Sequence, residues 1–180
     1  MKKATRSTLK IFSAALILSS ACLTATAQTN PSLTDPEVAH TAVVANQIDI
    51  AYADIAVKKS DDKAVINFAE TMKRDHTAVI GQAAALAKKL GVTPKDNAVS
   101  QKLLADAEKT KKMLSGKSGK AFNKAYIDNE VAYHKAVIAA VEGLLIPETD
   151  NAELKQLLQN VLPALKTHLS HAEMVQKNYK

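Results

Sequence analysis

Residues 61–91 read DDKAVINFAETMKRDHTAVIGQAAALAKKLG, and this stretch decides the fold. Its apolar positions Val65, Phe68, Ala69, Met72, Val79, Ala83, Leu86 and Leu90 recur every three or four residues, the period of one helix face. Ser60, Asp61 and Asp62 supply capping side chains and put acid at the positive end of the helix dipole. Gly91, followed by Pro94, stops the helix. One polar residue shares the apolar stripe: His76, four residues after Met72 and seven after Ala69.

The same grammar extends in both directions. Thr34-Asp35-Pro36-Glu37 is a T-x-x-E capping box with a proline where the first turn tolerates one. It opens a helix to about residue 58 with Val38, Ala42, Ala45, Ile48, Tyr52 and Ile55 on one face. Residues 97–114 form a shorter helix, with Leu103, Ala107 and Leu114 inward and Ser115-Gly116 as its stop. Ser118 caps a third long helix carrying Phe122, Tyr126, Val131, Val137, Ile138, Val141 and Leu145, which Pro147 ends. Asp150-x-x-Glu153 opens the fourth, whose stripe is Leu154, Leu158, Val161, Leu165, Leu169, Ala172 and Val175. Pro163 removes a backbone donor inside that last helix; the apolar phase continues across it, so a kink is expected rather than a break.

Only a few residues separate the first and second long helices, and likewise the third and fourth, which makes each pair an antiparallel hairpin. The middle link can traverse the bundle. Two hairpins joined by a long crossover containing a short helix is a ferritin-like four-helix bundle. Just 5 glycines and 5 prolines in 180 residues, with no alternating strand-like runs, agree with an all-α domain over residues 35–180, preceded by a linker at 28–34.

Residues 1–27 read as an export signal. Lys2, Lys3, Arg6 and Lys10 form a positive start, an apolar run around Ile11 to Leu18 follows, and Ala25-Thr26-Ala27 is a small-x-small cleavage site. The apolar run falls short of the roughly 20 residues that span a bilayer. Cleavage after Ala27 predicts a periplasmic product. The alternative is a lipoprotein anchored through Cys22, although Ser19 stands where an aliphatic residue usually precedes the lipidated cysteine. Cleavage after Ala27 also removes Cys22, the single cysteine, and with it disulfide and thiol chemistry.

The signal carries four basic and no acidic residues, so its loss takes the count from 24 basic against 18 acidic to 20 against 18, a net charge of +2. With no Trp and no basic stripe, nucleic acid is not an expected partner. No transmembrane span is expected in the mature chain. The basic cluster Lys109 to Lys112 and Lys117 to Lys120 reads as a solvated connector.

Three histidines carry the functional clue. His76, His134 and His168 each sit about 15 to 17 residues into a different helix and on its apolar side. At about 1.5 Å rise per residue their heights in a bundle agree within about a turn. Neutral imidazoles are ligands for zinc, copper, iron or nickel, and a closed site needs further donors. Asp49, at the edge of the first helix's apolar face, and Glu130, one turn before His134, are the nearest carboxylates by spacing. The candidate ligands are therefore Asp49, His76, Glu130, His134 and His168, with Asp75 better placed to flank them. The competing reading is a set of buried histidines satisfied by hydrogen bonds from neighbouring helices. His171 is turned off the stripe, His40 is expected at the surface, and Tyr126, Tyr133 and Met72 are expected to pack.

Three segments then carry a family resemblance: Phe68-x3-Met72-x2-Asp75-His76, Phe122-x3-Tyr126 with His134, and Leu162-Pro163-x-Leu165-x2-His168-Leu169-x2-Ala172. In this order, behind an export signal, they resemble the exported bacterial family known as domain of unknown function 4142, over about residues 35–178. The resemblance implies a ferritin-like helical bundle, often labelled an outer-membrane protein, and brings no established activity.

Ferritin-like di-iron sites use Glu-x-x-His on two helices and one Glu from each of the others. Here Lys73, Val131 and Leu165 stand three residues before the histidines, which argues against ferroxidase or oxygenase chemistry. No Ser/His/Asp pattern, phosphate loop or CxxC offers another. The expectation is an exported, non-enzymatic bundle of the bacterial envelope, serving a stress or binding role, whose histidine layer holds a transition metal such as zinc, copper or iron. A structural bundle that binds an envelope protein partner without metal is the alternative, and a metal-dependent redox enzyme ranks third.

Overall fold

A computed structural model describes residues 31–179. The expected export signal, Cys22 and the first part of the 28–34 linker lie outside the described residues. Helix α1 spans Asp35–Lys59, α2 Lys63–Leu90 and α3 Ala98–Ser115. Helix α4, Gly119–Ala140, runs through a π-helical turn, Val141–Leu145, into a last α turn, α5, Ile146–Glu148. Helix α6, Ala152–Gln176, ends in a 3-10 turn, Lys177–Tyr179. Among the described residues there is no strand, and no helix is long and apolar enough to cross a membrane.

The caps explain the boundaries. At the start of α1 the Glu37 carboxylate accepts from the Thr34 N–H at 3.0 Å and from its hydroxyl at 2.8 Å. These bonds, led by the backbone one, hold Glu37 down to about 2. The Asp62 carboxylate accepts from the Ala64 N–H at 2.8 Å to begin α2, and Gly91, at φ 64, ends it in the left-handed conformation that glycine adopts without strain.

Two local details differ from the pattern read in the sequence. Asn151, not Asp150, caps α6: its side chain accepts from the N–H groups of Glu153 and Leu154 at 3.0 and 3.1 Å. The third long helix does not stop before Pro147 but passes it. In regular α geometry the Pro147 ring would crowd the carbonyl four residues back. The π turn widens the helix at that point, and the Ile146 N–H bonds to the Val141 carbonyl five residues back. Pro163 lies within the unbroken α6.

Helices α1 and α2 form one hairpin, and α4 with α6 the other. The crossover helix α3 packs mainly on α1 and touches α4. Two apolar clusters form the core. One contains Ile48, Tyr52, Phe68, Met72, Phe122, Tyr126 and Val131; the other contains Val38, Ile138, Val141, Leu145, Leu154, Leu158 and Leu165. Burying each large side chain contributes about 1.5–3 kcal/mol. Along α2, α4 and α6 the three histidines fall between the clusters, and all three are buried.

Candidate metal centre

Asp49 from α1, His76 from α2, Glu130 and His134 from α4, and His168 from α6 are all buried, the two carboxylates to 0% exposure. The imidazole rings form a near-equilateral triangle, with centroids 5.8 Å apart for His76–His134, 5.3 Å for His76–His168 and 5.6 Å for His134–His168. One ligand atom from each of the three lies within 4.8 Å of the other two, and the same holds for Asp49, Glu130 and His134. All five candidate ligands are thus brought together in two groups that share His134.

Each ring is oriented by an acceptor. His76 Nδ1 donates to Asn46 Oδ1 at 2.7 Å, His134 Nδ1 to the Glu130 carbonyl at 3.0 Å, and His168 Nε2 to Asp75 Oδ2 at 3.0 Å. That fixes the tautomers and leaves His76 Nε2, His134 Nε2 and His168 Nδ1 as acceptor nitrogens, all buried and without a hydrogen-bond partner. A ring tethered through one nitrogen, with the other nitrogen free, is the arrangement that metal-ligating histidines adopt.

The carboxylates sharpen the argument. Asp49 Oδ2 lies 3.2 Å from His76 Nε2 and 3.5 Å from His134 Nε2. Oxygen and nitrogen lone pairs facing each other at such distances repel unless a proton or a metal ion lies between them. Both oxygens of Asp49 and of Glu130 lack hydrogen bonds, and Glu130 Oε2 is 3.7 Å from His134 Nδ1. Burial, with Asp49 adding to it, pushes the Glu130 carboxyl well above its ordinary range. Burial lowers His134 and His168, outweighing the nearby carboxylates that favour their charged forms. For Asp75 burial is outweighed instead: hydrogen bonds from Arg74 and His168 leave its carboxyl lowered. Burial therefore favours the neutral form of His134 and His168, the form that can ligate.

The other sequence expectations divide. Asp75 flanks the cluster as expected. Met72 is fully buried in the apolar core, and the Tyr133 hydroxyl donates to the Ala45 carbonyl at 2.8 Å, tying α4 to α1. Tyr126 packs as expected, but its buried hydroxyl has no partner. His171 stands edge-on to Phe68 at 5.1 Å, outside the cluster. His40 is half-buried rather than exposed, with Nδ1 3.8 Å from Asp96. Lys109, Lys112, Lys117 and Lys120 are exposed. Asn46 was missed by sequence reasoning. Its only signal is an amide three residues before Asp49, near the inner side of a largely apolar helix.

The model of a family described as Domain of unknown function (DUF4142) matches residues 20–175. The chain belongs to that family. Among curated proteins none matches. A solved structure titled "CopM in the Cu(II)-bound form" is similar with a TM-score of 0.62 at 12% sequence identity, covering 83% of this chain and 100% of that chain. At that identity the likeness speaks for the helical fold alone.

Proposed function

We propose that this member of the family is exported to the bacterial envelope, where residues 35–180, acting as one domain, bind a single divalent transition-metal ion in a non-catalytic, stress-related role. His76 Nε2, His134 Nε2, His168 Nδ1 and an Asp49 oxygen are the ligands, with Glu130 neutralising charge beside them. The observation that carries the reading is the convergence of three buried, unpartnered imidazole nitrogens, each on a ring held from its far side. Three nitrogens and one oxygen suit Cu2+ or Zn2+, and the usual affinity order favours Cu2+. The likeness to a protein in a Cu(II)-bound form supports the same choice.

The second reading is a metal-free, hydrogen-bonded core, favoured by the 3.2 Å Asp49–His76 approach, which a shared proton would also satisfy. Metal analysis of protein purified from the periplasm separates the two. The expected result is one copper ion per chain, lost in His168→Ala. Absence of stoichiometric metal, together with failure to take up added Cu2+ or Zn2+, overturns the metal reading.

A further inference from the structure

One half of the bundle is filled and the other is not. Below the histidine layer the core is packed with Phe68, Met72, Phe122 and Tyr126, all fully buried. Beyond it, core-facing positions carry smaller side chains: Ala42 on α1, Ala83 on α2, Val137 on α4 and Val161 on α6, each only partly buried despite its inward register. The result is a cavity of about 480 Å³ that reaches the metal-site residues Asp49, His76, His134 and His168. Gln82 and Leu157 line both this cavity and a smaller hollow of about 270 Å³ between α2 and α6, which has Gln156 and Asn160 on its polar rim.

A void of this size far exceeds the packing defects that interiors tolerate, and it falls within the range of small-molecule sites. Its walls are mainly apolar, with most of their polar groups gathered at the histidine layer and Thr41, Gln82, Asp106 and Thr110 outside it, which selects a molecule with an apolar body and one polar head. The chemistry of the head follows from the tautomers. Because the far nitrogen of each histidine donates to Asn46, Glu130 or Asp75, the free nitrogens are acceptors, and Asp49 adds acceptor oxygens. A carboxylate-headed ligand brings no donor and meets Asp49. A hydroxyl brings the donor that these atoms lack.

We infer that the cavity binds an uncharged apolar alcohol or phenol, its body between Ala42, Ala83, Val137 and Val161 and its hydroxyl donating into the histidine layer. This goes beyond the metal reading and does not rest on it, since the same nitrogens accept a hydrogen bond when no metal is present.

The test uses chelator-treated protein and 2-naphthol, a fluorescent phenol, with 2-methoxynaphthalene as the match that lacks the donor. Titration should give one 2-naphthol per chain, bound at least about 10-fold more tightly than the methyl ether, because a site built for a hydrogen bond rejects the analogue without it. Filling the cavity from either side, by Ala83→Phe or Ala42→Leu, should weaken 2-naphthol at least about 10-fold while circular dichroism stays helical. Equal affinity for the two naphthalenes overturns the inference and needs no variant to fold; so does wild-type binding by both folded variants. Copper uptake in parallel keeps the two readings apart: 2-naphthol binding without copper uptake sinks only the metal reading, and the reverse sinks only this one.

Discussion

Asn46 Oδ1 accepts the Nδ1 hydrogen of His76 at 2.7 Å, from the neighbouring helix of the same hairpin. This bond decides which nitrogen of His76 faces the cluster. Asp75 does the same for His168 across the α2–α6 contact, at 3.0 Å. Removing such an orienting partner typically costs 10–100-fold in metal affinity. Asn46→Leu is therefore expected to weaken Cu2+ binding by about that factor in a competition titration, with helicity unchanged, whereas Asn160→Leu on the polar rim leaves it alone. Unaltered affinity in Asn46→Leu would mean that His76 is not held for ligation.

Metal uptake should release protons. The imidazoles must be neutral to ligate, and burial lowers His134 and His168 from an ordinary 6.5, so affinity should collapse only at a pH below that value. Burial raises the Glu130 carboxyl well above its ordinary 4.5, and an adjacent cation would favour its ionised form instead. Calorimetry at neutral pH in buffers of different ionisation enthalpy should show proton release on Cu2+ binding, and less of it in Glu130→Gln. Buffer-independent heats would remove Glu130 from the site.

The helices were legible because their signals are local. Apolar stripes and caps mark α1, α2, α3 and α6 from neighbouring residues, and the constant rise per residue placed His76, His134 and His168 at one height before any packing was known. Asp49 and Glu130 followed from the same geometry. Asn46 was not legible, because an amide at the edge of a stripe looks like a surface residue until its partner on α2 is placed. The choice of Asn151 over Asp150 turns on one residue of register between two good caps. The π turn required knowing that the helix continues past Pro147, which tertiary contacts with α6 decide. The cavity was hidden because an apolar pattern records which face is buried and says nothing of volume: Ala83 and Leu86 count alike in a stripe.

Export is a separate expectation, resting on residues outside the described structure. The order of positive start, apolar run and Ala25-Thr26-Ala27 predicts that intact-mass analysis of the mature protein finds Gln28, or its cyclised form, at the N-terminus. A mass bearing acyl chains on Cys22 would instead place the bundle on a membrane surface.

The packed half of the core should be far less tolerant than the hollow half. Phe68 is fully buried, between Tyr126 and His171, and Phe68→Ala is expected to cost about 3–5 kcal/mol. Val161→Ala, on the wall of the cavity, removes less volume and creates little new void, and should cost about 1 kcal/mol or less by the same reasoning. Denaturant midpoints at constant slope measure both. Equal costs would indicate that the cavity closes in solution.

The buried histidines and Glu130 should give the stability of the metal-free protein opposite dependences on pH. His134 and His168 are lowered by burial, so the unfolded chain binds more protons as pH drops. Their contribution is intact above about 6.5 and is lost as pH falls through the lowered folded values. Glu130 has the opposite sign: with its folded value raised well above 4.5, its contribution is complete below the unfolded value and is lost as pH rises through the folded one. Glu130→Gln keeps the shape and deletes that titration. Thermal unfolding in chelator across pH 5 to 9 should therefore show the wild type losing stability relative to Glu130→Gln as pH rises from about 5, while the histidine-driven loss in acid is carried by both proteins. Each kcal/mol recovered at high pH corresponds to roughly 2–4 °C in Tm for a chain of this size. Identical pH slopes for the two proteins would show that Glu130 is already ionised in the fold, paired with a charge that the geometry around Asp49 and His134 does not supply.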